Sequence, residues 1–317
     1  MPPLPSADEA TRILSRDDSQ TTLNLYKTLV LPAERRAVER FTAVCDQSNA
    51  PLKAPIVVYA RLVGYLMLYP PSDIARTTLT REVASCNDPD KSDPIQALYE
   101  LGETYTNHII TLFKSARGTT PSPASHSSGY ACDLLGANCP QTLQLAPRDH
   151  ASAKQSALAR DNFRCMVSGK VDDISERAGF TQRLPNEMFT ITQCCHIFPD
   201  GLGDILQSRA GCAEYANSSL WTFLDRLGYR DVCEELMRPT VGTNLHRLEN
   251  ILTLESYAHL LFGRLDLWFE AMEGQPNLYR LHAACCRIVH MSGAADYFDP
   301  ISREMEEIGV LAEDVVA

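Results

Sequence analysis

Phe189 to Pro199 reads FTITQCCHIFP, and Leu248 to Phe269 reads LENILTLESYAHLLFGRLDLWF. In the first stretch β-branched and aromatic residues alternate, with Thr190 and Thr192 set against Phe189 and Ile191, the pattern of a short strand that ends at His196. In the second, Ile251 to Leu254 is a brief strand. Ser256 then stands as the N-cap of a helix from Tyr257 to Met272, whose Leu260, Leu261, Leu265, Trp268 and Phe269 form an apolar stripe. Two strands and a helix are therefore expected, with His196 closing the first strand, Asn250 just ahead of the second and His259 on the helix.

Moving upstream, Ala159 to Gly169 reads ARDNFRCMVSG, preceded by a short helix former at Ala151 to Arg160; Phe163 to Val167 has the composition of another strand, closed by the turn Ser168-Gly169-Lys170. Gly118 to Gly129, GTTPSPASHSSG, carries almost no large apolar side chain and marks a Ser/Pro-rich linker over 118–148. Ahead of it, residues 21–117 repeat apolar positions at three and four residue steps (Leu98, Leu101, Tyr105, Ile109, Leu112), the period of packed helices. Residues 1–20 read as a flexible leader. Past His196, helical patterns from Cys212 to Met237 fall within an insertion spanning 205–240, and 273–317 holds a further helix and an acidic tail. The expected fold class is α+β and mostly α, with a helical amino-terminal domain and a β-β-α domain over 149–272.

Composition narrows the function classes. The 317 residues are 44% hydrophobic and 22% charged, values of a globular protein of about two domains. A net charge of −11 means that attraction to a polyphosphate needs a local basic surface. From 151 to 270 there are 12 Lys+Arg against 16 Asp+Glu, a net of −4, which disfavours tracking along duplex nucleic acid and favours a small or single-stranded substrate. One local patch is expected from Arg160, Arg164, Lys170, Arg177 and Arg183. The apolar run Ile56 to Tyr69 is too short to cross a membrane and holds Arg61, so it reads as a buried helix. The first residues hold no apolar signal region, and eleven cysteines, an odd number with no CxxC pair, fit reduced thiols; an intracellular protein is the expectation.

The segments ARDNFRCMVSG, CHIFP and LENILTLESYAHLLFGRLDLWF together resemble the HNH endonuclease superfamily, of ββα-metal fold, and within it a fungal branch of HNH-domain proteins. The resemblance covers about residues 150 to 272 and implies a metal-dependent phosphodiesterase. It makes His196 the general base that takes a proton from water, Asn250 the residue that holds the His196 loop, and His259 a metal ligand. The residue before the base is a second ligand in such proteins, and here it is Cys195. A thiolate suits zinc better than magnesium, so three outcomes stay open: a divalent ion of changed identity, substitution by a water or by a carboxylate such as Asp200 or Asp204, or no metal. Cys195 read on its own is a small buried hydrophobe. Cys165 stands where zinc-stapled relatives carry a first hook cysteine, but Ser168 occupies the partner position.

Other histidines have plainer readings. His282, Cys286 and His290 share a helix face with apolar neighbours and read as packing, while His150 and His246 lack a patterned partner and read as surface residues. Two further classes stand beside the nuclease: an HNH scaffold turned to small-molecule chemistry, as in fungal secondary metabolism, and a non-catalytic interaction protein.

Overall fold

The computed structural model describes residues 2–14, 20–45, 55–113, 150–198, 222–237, 244–270 and 277–295. The linker 118–148, most of the insertion 205–240 (residues 205–221 and 238–240), Asp200, Asp204 and the acidic tail lie outside the described residues. The chain is α+β and mostly α, and it divides into two compact units. The first comprises Met1–Thr111, Thr222–Tyr229 and Arg280–Ala317; the second comprises Leu112–Trp221 and Arg230–Tyr279. No described helix is long and apolar enough to cross a membrane.

The first unit is built around α4 (Pro55–Leu68), in which every residue from Val57 to Leu68 is buried. A helix buried on all sides has to be surrounded, and α3 (Leu31–Cys45), α5 (Asp73–Cys86) and α6 (Pro94–Phe113) pack against it, with α1 (Ala7–Ile13) and α2 (Gln20–Leu25) in the same unit. A π-helical turn, Tyr26–Val30, joins α2 to α3 without a break. Two glycines permit close approach: a Cβ on Gly102 of α6 would fall 2.5 Å from the Tyr59 carbonyl oxygen, and one on Gly64 would fall 2.6 Å from Leu4 Cδ2.

That second contact corrects the expectation of a flexible leader. Leu4 is buried, its N–H donates to Glu34 Oε1 at 3.0 Å, and Tyr65 and Tyr26 donate their hydroxyls to the carbonyls of Pro3 and Pro5. Ser6 and Glu9 then form a reciprocal capping box that starts α1. Prolines with free carbonyls in an extended segment are good acceptors for buried phenols, which a reading of local hydrophobicity does not see.

A second correction concerns the expected insertion. Residues 222–229 group with the amino-terminal helices: Phe223 meets Tyr105 edge-on and stacks on His108, Arg226 pairs with Glu82 at 3.2 Å, and Ser72 donates to the Leu227 carbonyl at 2.6 Å. The insertion is thus divided between units, α9 (Arg230–Met237) falling in the second. Similarly α11 (Asn277–Ser292) belongs to the first unit from Arg280 onward.

The second unit opens with α7 (His150–Arg160). The strand expected over Phe163–Val167 does not form, because Asn162 and Phe163 take left-handed backbone angles (φ 52° and 59°) and turn the chain into a tight loop closed by Gly169 N–H to the Cys165 carbonyl. Only Arg164 bridges to Val171. FTITQCC is likewise two strands: β2 (Phe189–Thr190) pairs in parallel with β1 (Val171–Asp172), and β3 (Thr192–His196) pairs antiparallel with β4 (Ile251–Glu255). Buried Asp172 ties the pairs together and caps α8 (Asp173–Arg177), accepting from the Thr192 amide and hydroxyl with one oxygen and from the Ser175 amide and hydroxyl with the other. α10 starts at Ser256 itself, without a side-chain cap, and ends at Gly263 rather than Met272, because Leu265 adopts φ 66° and the Asp266 amide turns back to the Leu261 carbonyl.

Candidate metal site

Strand β3 decides which side chains meet. Side chains alternate along a strand, so Cys194 and His196 share one face and Cys195 takes the other. On the face with Cys194 lies α7, where His150, Ala153, Ala157 and Arg160 recur at steps of three, four and three. Ala153, Ala157, Cys194 and Ile251 form a packed cluster with Leu248 against it. The small alanines let the helix approach the hairpin, and His150 at the head of α7 arrives beside His196, the two rings 5.6 Å apart.

The result is a group of three potential ligands. One donor atom each from His150, Cys194 and His196 lies within 4.8 Å of the other two, and this set could hold a metal ion. Cys195 is buried outside that group, its sulfur 4.0 Å from the His196 carbonyl oxygen. His259, on α10, is also outside it, though close enough for its charge to act on His196.

His246 completes the surroundings. It is buried in a 3₁₀ turn (Asn244–His246), and its Nδ1 lies 3.2 Å from His196 Nε2, one ring N–H donating to the other nitrogen. Asn250 holds both sides of this pair. Its Nδ2 donates to the Leu245 carbonyl at 2.8 Å and the Phe198 carbonyl at 3.0 Å, and its Oδ1 accepts from the Phe198 amide at 2.9 Å. One fully buried amide therefore fixes the backbone just after His196 and just before His246.

Burial, and after it the neighbouring charges of His246, His150 and His259 in that order, push the His196 imidazole down to about 3. It is neutral at physiological pH. Its lone pair is available to a proton or to a metal.

Within the same unit the expected basic patch is internally neutralised. Arg160 forks onto Asp161 at 2.7 Å, Arg164 pairs with Glu187 at 2.9 Å, Lys170 with Glu255 at 2.7 Å, Arg177 with Asp173 at 3.0 Å and Arg183 with Glu176 at 3.5 Å. Arg160 also donates to the carbonyls of Leu248 and Ile251, and its charge couples to Cys194. Cys165 accepts from the amides of Ser168 and Glu255, a loop-holding role. His282 is buried in α11, 3.6 Å from Cys286 through Nδ1.

Two members of the centre, His150 and His246, escape a reading of sequence. The signal for His150 was the small-residue stripe that follows it on α7; His246 carries no local signal beyond standing four residues ahead of Asn250. No protein-family model, curated protein or solved structure matches the chain.

Proposed function

We propose that the second unit is a metal-dependent hydrolase centre of HNH type, acting on a phosphodiester in a small or single-stranded substrate. The observation that carries this reading is the gathering of His150, Cys194, His196 and His246 at the end of a β-hairpin whose loop is held by Asn250, with α10 and His259 following directly. A cation there would neutralise charge on the phosphate and on the leaving oxygen. Neutral His196 is competent to take a proton from water or to ligate that cation, and Asn250 positions it in either role.

Support for a compact substrate comes from charge. With the five nearby cations engaged by Asp161, Asp173, Glu176, Glu187 and Glu255, releasing them to a phosphate backbone costs those ion pairs. The same pairing favours a second reading, an HNH scaffold turned to a small molecule that is not a phosphodiester. Purified protein with manganese or zinc should cleave bis-p-nitrophenyl phosphate or a single-stranded oligonucleotide, and His196→Ala should lower the rate by about 10²- to 10⁴-fold. Absence of metal-dependent cleavage of both substrates by the wild type would leave the second reading.

A further inference from the structure

We infer that His150, Cys194 and His196 are the protein ligands of a zinc-class ion, and that the Thr253 hydroxyl holds a water or substrate oxygen as its fourth ligand. This deepens the hydrolase reading by naming the ion and its open position, and its test does not require turnover.

The ligand chemistry comes first. Two imidazoles and a thiolate are a borderline-to-soft donor set, matched to zinc or cobalt and poorly matched to magnesium, which takes oxygen ligands. Three protein ligands with one exchangeable position is the arrangement of catalytic zinc sites, whereas structural sites close all four. Donor atoms no more than 4.8 Å apart contract to the edges of about 3.5 Å of a tetrahedron with metal–nitrogen and metal–sulfur bonds of about 2.1 and 2.3 Å. On binding, the Cys194 thiol releases its proton to solvent and the sulfur lone pair bonds the ion; both imidazoles stay neutral.

A second, independent observation points to the fourth ligand. Thr253 is 2% exposed, yet among the described residues its hydroxyl oxygen has no hydrogen-bond partner. A hydroxyl so deeply buried is normally satisfied. Thr253 sits directly opposite Cys194 in the β3–β4 ladder, so the two side chains stand on one face of the hairpin, with β-carbons about 4.5 to 5.5 Å apart. An oxygen bound to an ion beside Cys194 is the partner that position lacks. His246 and Asn250 then act as positioning residues, His246 on the ring of His196 and Asn250 on the loops of both.

The assignment differs from the ligand pair that resemblance implies, Cys195 and His259, and cobalt distinguishes them. Titrating metal-free protein with Co²⁺ alone should give one equivalent bound, with a sulfur-to-cobalt charge-transfer band and intense four-coordinate visible bands. Cys194→Ser should remove the charge-transfer band, Cys195→Ser should keep it, His150→Ala should weaken binding by ten-fold or more, and His259→Ala should retain the band. Thr253→Val should leave a folded protein that binds Co²⁺ but shifts the pH at which the visible spectrum changes as bound water ionises, and Thr253→Ser should restore it. Loss of the band in Cys195→Ser with its retention in Cys194→Ser would overturn the ligand set, as would a wild type that binds no Co²⁺. An unchanged pH profile in Thr253→Val would overturn the role of Thr253. Tight Co²⁺ binding through Cys194 without phosphodiester cleavage would uphold this inference and remove the hydrolase reading.

Discussion

Each unit buries polar groups, and the two do so in opposite ways. In the first, Arg61 and Glu34 lie inside the helical layer as a complementary pair: Arg61 Nε donates to Glu34 Oε1 at 2.6 Å, and the same oxygen accepts the Leu4 amide. Charge cancels locally, and the pair ties α3 and α4 to the amino-terminal segment. In the second, the groups that act on half-buried His196 are three more imidazoles, which cannot neutralise it if it is protonated. Burial and these neighbours hold His196 itself neutral at physiological pH. A pair that satisfies itself is architecture; a cluster that gathers ligand-type side chains around one point is a candidate site.

The largest effect should come from splitting the self-satisfied pair. Glu34→Ala removes the carboxylate shared by buried Arg61 and the Leu4 amide and should cost about 3 to 5 kcal/mol of unfolding free energy in urea denaturation. A loss comparable to that of a surface substitution would mean that the pair is hydrated and the contrast between units is wrong.

Next in size is pH. His196 and His282 are both held near 3 in the folded protein by burial, against 6.5 when unfolded. A depressed histidine means that the unfolded chain binds more protons between those values. Stability is therefore retained above about pH 6.5 and lost as pH falls toward about 3, with a slope of up to about 1.4 kcal/mol per pH unit for each histidine. In metal-free protein, His196→Asn should flatten this dependence by roughly one histidine's share, leaving that of His282. Identical pH profiles for wild type and variant would show that His196 is not in the environment described.

Smallest is the rim. Glu187→Gln releases Arg164 from its ion pair and should leave the melting temperature nearly unchanged, while strengthening single-stranded nucleic-acid binding in a salt-sensitive way. Stronger binding that ignores salt would mean that the five paired cations are not what keeps this surface from phosphates.

Much of this could be read along the chain. Periodicity at three and four residues marked the helices of the first unit, and alternation followed by an apolar helical stripe marked the β-hairpin and α10, because those signals are set by which face of a local element must leave water. His196 at a strand end, Asn250 before the next strand and His259 on the helix were likewise visible as positions. What no local signal carries is which distant side chains share a point. His150 reads as a surface residue until Ala153 and Ala157 are seen to pack α7 on the hairpin; His246 does so until Asn250 is seen to hold both loops. The choice between Cys194 and Cys195 turned on strand register, since one residue along β3 moves a side chain to the opposite face. Burial, register and the convergence of loops are properties of the whole packed chain, and there the tertiary structure alone decided.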